Sequence, residues 1–135
     1  MNHTLCIIGM GVSGISVCRW AKEYNIDTIV LEKNSEIGGV WYEKNYPNVM
    51  LQTSKKSYSY SDIPMPESFP TYPTGKNVNE YLHNYCDTHK LFEYVKYNSE
   101  VIDTNWNEEI NLWEISYKNI KDIKSKSNSK IIKIK

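Results

Sequence analysis

Apolar positions along the first third of the chain recur with two different periods. Leu5-Cys6-Ile7-Ile8 is a continuous apolar run stopped by a glycine, the pattern of a buried parallel strand. From Val12 to Tyr24 the apolar residues Ile15, Cys18, Trp20 and Ala21 approximate one helical face, and Arg19, Lys22 and Glu23 the other. Asn25 and Asp27 supply turn chemistry, and Thr28-Ile29-Val30-Leu31 is a second strand ending at Glu32. The spacing predicts a βαβ unit. Further on, Val78, Tyr81, Leu82, Tyr85 and Cys86 fall at i, i+3, i+4, i+7 and i+8, predicting an amphipathic helix from Asn77 to His89. Val95 to Ile102 and Leu112 to Tyr117 read as strands joined by a hairpin loop over Asn105 to Asn111. Ile131 to Ile134 is suited to one last strand, after a polar Ser125 to Ser129 expected to be mobile.

Between these patterned parts, Lys33 to Gly75 shows little periodicity and holds all five prolines. Proline fixes its own φ and restricts the residue before it, so the stretch from Ile63 to Pro73 is expected to be extended or turned and not helical. Its aromatic residues, Trp41, Tyr42, Tyr46, Tyr58, Tyr60, Phe69 and Tyr72, need surface to bury against, which predicts an ordered loop region.

Composition narrows the function classes. The chain has 135 residues, one domain's length, with 16 Lys plus Arg against 16 Asp plus Glu. No overall basic field exists to hold a phosphate backbone, so nucleic acid is not the expected partner. Cys6, Cys18 and Cys86 have neither disulfide-framework nor zinc spacing, and they read as packing thiols in a reducing compartment. His3, His83 and His89 have no matching ligand spacing, so no metal site is expected. Lys55 and Lys56 read as solvated. The apolar stretch Leu5 to Val17 is too short and too glycine-rich for a membrane span or export signal, which points to the cytoplasm.

Chemistry starts at the glycines. Gly9-Met10-Gly11-Val12-Ser13-Gly14 is GxGxxG placed between a strand and a helix. Gly9 permits the tight turn, Gly11 leaves room for a pyrophosphate, Gly14 lets helix and strand approach, and the helix N-terminus favours an anion. Glu32 comes where a carboxylate can accept both hydroxyls of an adenosine ribose and would repel a 2′-phosphate. This is a Rossmann-like dinucleotide site for FAD or NAD, not NADP.

Glu36-Ile37-Gly38-Gly39-Val40-Trp41, with Tyr46-Pro47, Leu51-Gln52-Thr53, Tyr58 to Asp62, Pro64-Met65-Pro66 and Phe69-Pro70, resembles the flavin-containing monooxygenases, relatives of the Baeyer–Villiger monooxygenases. The resemblance runs from Leu5 to about Trp113. It implies an α/β fold in which residues 1–118 are the N-terminal part of an FAD-binding Rossmann-like domain and 119–135 a tail. A loop region, one amphipathic helix and a small antiparallel β appendage complete that part. It implies FAD and NADPH as cofactors and oxygenation of N or S in small substrates through a flavin C4a-hydroperoxide, the flavin carrying the chemistry. By position, Gly9, Met10, Gly11, Val12 and Ser13 would hold the pyrophosphate, Glu32 the ribose, and Gly39, Val40 and Trp41 the flavin side. Gln52 and Thr53 would approach the isoalloxazine and Val101 the adenine.

Two departures stand out. Gln52 occupies a position where many relatives have Asn, thought to steady the oxygenated flavin, and is the catalytic candidate here. The family's second glycine-rich motif, for NADPH, is absent, and residues 118–135 contain no glycine. The chain is therefore expected to be a truncated or split form, inactive without a completing polypeptide. The alternatives are a stand-alone dinucleotide-binding module and a non-catalytic remnant.

Overall fold

The computed structural model describes residues 2–44, 46–121 and 129–134. Two sheets meet at Glu32. The first is parallel, in the order β2 (Leu5–Ile8), β3 (Thr28–Leu31) and β4 (Val95–Lys96). Helix α1 (Val12–Glu23) crosses from β2 to β3, completing the expected βαβ unit. The second sheet runs β1 (Asn2–His3), β7 (Lys130–Ile134), β6 (Leu112–Asn119) and β5 (Ser99–Asn107), antiparallel except for the β1–β7 pair. The α/β class and the antiparallel appendage match the sequence reading, and the last strand forms as predicted. Most of the polar segment before it, residues 122–128, lies outside the described residues.

The main core packs α1 and helix α4 (Gly75–Thr88) over the parallel sheet, with Ile7, Ile15, Cys18, Val30, Val78, Leu82 and Cys86 buried. Helix α4 starts two residues earlier than predicted because Thr74 and Asn77 form a reciprocal capping pair, Thr74 Oγ1 accepting from the Asn77 N–H. A second core joins Leu31 to Ile115, Tyr117, Ile132 and Ile134 across the sheet junction. Burial pushes the Cys18 thiol up to about 11 and Cys86 up to about 12, as suits packing residues.

Three local expectations are corrected. Trp20 is 49% exposed, while Ile15, Cys18 and Ala21 are buried. At about 100° per residue Trp20 falls on the opposite side of α1 from those three, and it stacks on Tyr24 at 6.2 Å. Val95 to Ile102 is not one strand. Asn98 takes a left-handed φ of 54°, so Val95–Lys96 stays in the parallel sheet and the chain enters the other sheet at Ser99. The hairpin loop is shorter than Asn105 to Asn111, since β5 continues to Asn107 and Trp106 pairs with Trp113. The stretch from Ile63 to Pro73 holds no helix, as expected, and before it the loop region carries two single-turn helices, α2 (Val40–Glu43) and α3 (Lys55–Tyr58).

Lys55 is likewise not solvated. Its side chain is 13% exposed, and its ammonium donates to the carbonyls of Pro66, Glu67 and Phe69, each at 3.0 Å. One cation thereby gathers a loop with no regular main-chain ladder of its own. Tyrosines add further ties. Tyr60 Oη donates to the Val12 carbonyl at 2.6 Å, and Tyr81 Oη donates to the Ile63 carbonyl while accepting from the Tyr60 N–H.

Candidate functional site

The glycine turn is built by close approach. Gly9 has φ +88°, a conformation that favours glycine, and a Cβ on Gly14 would sit 2.0 Å from the Gly9 carbonyl oxygen. No side chain at Gly14 is compatible with that turn. Helix α1 opens there with no capping side chain and no acidic residue in its first turn. Its first N–H groups and its positive dipole end are left for an external acceptor. Gly38 and Gly39, both with positive φ, fold back so that a Cβ on Gly39 would lie 3.1 Å from Gly11 Cα. The Gly38 N–H donates to the Met10 carbonyl at 2.9 Å, locking the two glycine segments together.

Glu32 is the junction between the sheets. Its main-chain N–H donates to the Lys96 carbonyl at 3.0 Å, and its carbonyl accepts from the Ser99 N–H at 2.8 Å. Its carboxylate, 3% exposed at the residue level, accepts from the Met10 N–H at 2.6 Å and from the Asn34 N–H at 2.8 Å. Each oxygen accepts one main-chain bond and keeps capacity for another. Glu32 thus holds the glycine turn against the end of β3, a structural role its position in the sequence does not announce.

Around this junction runs an open cleft in two adjoining stretches. One is lined by Gly9, Gly11, Glu32, Gly39, Val40 and Val101 and has a volume of about 360 Å³. The other, about 410 Å³, adds Val12, Ser13, Gly14 and Tyr58. Nine of the thirteen anticipated site residues therefore converge on one cleft. Met10 does not: its side chain is wholly buried in the core, and only its main chain serves the site. Trp41 stands behind the wall, its Nε1–H donating to Tyr58 Oη at 2.7 Å, so it positions the tyrosine that does line the cleft. Gln52 and Thr53 are exposed and line neither stretch.

Sequence reasoning missed Tyr58, Ser99 and the pair Lys33 and Glu43. Lys33 Nζ lies 3.2 Å from Glu43 Oε2, joining the β3 end of the cleft to α2. Among the described residues, no three His, Cys, Asp or Glu side chains gather as a metal site, and no helix is long and apolar enough to cross a membrane.

A parallel βαβ unit whose glycine turn opens a helix, beside a carboxylate at the end of the next strand, has the architecture of a Rossmann-like fold. The chain belongs to the flavin-binding monooxygenase-like family, whose model matches residues 2–131. It is 34% identical over 110 residues to FAD-binding monooxygenase stcW of Emericella nidulans, covering 80% of this chain and 18% of that protein. It is 29% identical over 106 residues to flavin-containing monooxygenase 5 of Homo sapiens, covering 72% of this chain and 20% of that one. Its fold matches the crystal structure of cyclohexanone monooxygenase with ε-caprolactone bound at a TM-score of 0.83 and 25% identity, over 98% of this chain and 25% of that chain. The chain thus spans about a fifth of the length of these curated relatives.

Proposed function

We propose that this chain binds FAD in the glycine cleft and serves as the FAD-binding portion of an NADPH-using monooxygenase. The observation that carries the reading is the convergence of Gly9, Gly11, Gly39, Glu32 and Val101 on one cleft at the N-terminus of α1. The residues present fit the cofactor's anionic, adenosine-bearing end. A diphosphate would meet glycine backbone and the unpaired N–H groups of Val12 and Ser13, where no side chain or acidic residue competes. The Glu32 carboxylate, already steadied by two N–H donors, would accept from ribose hydroxyls. Val101, at the start of β5, would border the adenine.

Bound there, the flavin would supply the redox and oxygen-activating chemistry, and these residues bind and orient it. Oxygenation at N or S of a small substrate is the activity we assign to the complete fold. We assign NADPH and substrate to the remaining four fifths of that fold, on the same or a completing polypeptide. The catalytic role of Gln52 rests on its place in the Leu51-Gln52-Thr53 segment alone. In the complete enzyme, Gln52→Ala is expected to lose oxygenated product while FAD stays bound.

The test of the binding reading is the visible spectrum of the purified chain after FAD reconstitution and desalting, with Gly11→Trp as control and circular dichroism to check folding. Retained flavin bands, lost in the folded control, are expected. A folded but colourless wild-type chain overturns the reading and favours a non-catalytic remnant.

A further inference from the structure

A cation follows the ribose-binding carboxylate directly in the sequence: Lys33 after Glu32. On its own, a lysine at that place would offer a ready partner for a 2′-phosphate on the same ribose, working against the discrimination that Glu32 provides. In the folded chain Lys33 is not available for that. Its ammonium lies 3.2 Å and 3.4 Å from the two carboxylate oxygens of Glu43, on the other side of the cleft. Glu43 is also within 3.9 Å of Lys44, but Lys44 does not line the cleft, and Lys33 is the one cation among the described residues that does. Glu32, Glu43 and Glu100 line the same space, and Glu100 carries its own partner, Lys118, at 2.9 Å.

Resting on the reading of this cleft as the FAD site, we propose that Glu43 is a specificity-determining residue. It occupies Lys33 and so keeps adenosine dinucleotides bearing a 2′-phosphate out of the cleft. The residue is placed for this by α2, a single turn started at Gly39, so the same glycine segment that closes on Gly11 also delivers the carboxylate to Lys33. The pairing is strong enough to hold the Glu43 carboxyl below the usual carboxylate range, mainly through its hydrogen bond with Lys33.

The experiment compares NAD+ and NADP+, which differ only by the 2′-phosphate, by titration calorimetry on the chain freed of flavin, with FAD retention measured alongside. Wild type is expected to retain FAD and to bind NAD+ more tightly than NADP+. Glu43→Gln frees Lys33, and the NADP+ to NAD+ affinity ratio is expected to rise about fivefold at low salt, the size of one exposed charge contact. The double variant with Lys33→Met is expected to return the ratio to the wild-type value. An unchanged ratio in Glu43→Gln, or a raised ratio that survives Lys33→Met, overturns the inference while FAD retention leaves the cleft reading standing. A wild-type chain that binds neither FAD nor NAD+ overturns both. Both side chains are exposed at the cleft mouth, and thermal melts confirm that the variants fold.

Discussion

The glycine half of the molecule, residues 2–44, and the proline half, residues 46–74, reach order by different means. In the first, main chain meets main chain: a parallel strand pair, a helix, and a turn in which Gly14 touches Gly9. In the second, side chains reach back to main chain across long stretches of sequence. Lys55 gathers three carbonyls, Tyr81 ties Ile63 and Tyr60, and Tyr60 reaches Val12. The first half is held by main-chain contacts where it would meet a ligand, and the second fastens that half to α4. The contrast teaches that one pair of glycines can be irreplaceable for the fold while its neighbour is free to serve the ligand.

Gly14 and Gly11 separate these roles most sharply. Gly14→Ala gains about 1 kcal/mol of helix propensity, but its Cβ would lie 2.0 Å from the Gly9 oxygen, an overlap that costs about 3 kcal/mol or more. A net loss of stability in urea unfolding is expected even without cofactor. Gly11→Ala would place its Cβ 3.6 Å from Gly39 Cα, an ordinary contact, so its unfolding midpoint is expected to stay near wild type while flavin retention falls. Equal stability losses in the two variants would erase the distinction.

Next in size is Glu32, which sits in the glycine half yet works through side-chain bonds as the proline half does. Glu32→Gln exchanges a carboxylate holding two main-chain N–H groups for an amide with one acceptor oxygen. One buried donor is left facing an NH2 group, at a cost of about 2–3 kcal/mol. The loss is expected in the flavin-free protein by thermal unfolding, and a stability change confined to the FAD-loaded form would show that Glu32 serves only the ligand.

The proline half is tested by Lys55→Met, which removes the donor to three carbonyls. The freed carbonyls of Pro66 and Glu67 can take up water, so the cost is smaller, about 1–2 kcal/mol. Hydrogen exchange is expected to quicken at residues 64–70 and to stay slow in β2 and β3. Faster exchange throughout would mean that the two halves are not separately held.

The same contrast decides what could be read from the sequence. The strand, glycine turn, helix and second strand were legible because each rests on local period or on a glycine at a position where a Cβ clashes. Of the nine anticipated residues that line the cleft, Gly9, Gly11, Gly14 and Glu32 followed from that frame, and Val12, Ser13, Gly39, Val40 and Val101 from the family resemblance. Trp20 was misread because an apolar residue near a helical face was counted onto it, although its angle puts it outside. The break at Asn98 was hidden because nothing in Val95 to Ile102 marks a left-handed residue except one asparagine. Lys55 and Tyr58 were illegible for a different reason: their partners lie 11 to 17 positions away in sequence, at no fixed period. Lys33 and Glu43 are ten positions apart across a turn that only the double glycine creates.

The smallest expected effect lies at the seam where the proline half meets the helices. Asp62 accepts from Tyr85 Oη at 3.0 Å, and its Oδ2 lies 3.2 Å from His89 Nε2 and 3.7 Å from Arg19 Nε. His89 closes α4 with its ring 4.5 Å from that of Tyr85, and Arg19 and Lys22 come from α1. Burial first and Arg19 second hold the His89 imidazole below its ordinary value of 6.5, against the opposing pull of Asp62. The unfolded chain therefore takes up a proton at His89 before the folded one does. His89 gives its full support above about pH 6.5 and loses it as the pH falls through that value toward the lower folded one. Wild type is expected to lose more stability than His89→Gln between about pH 7.5 and pH 5, measured by urea unfolding at each pH. A wild type that instead gains on the variant as the pH falls would mean that Asp62 outweighs burial and Arg19, and that the seam is an ion pair rather than a neutral packing contact.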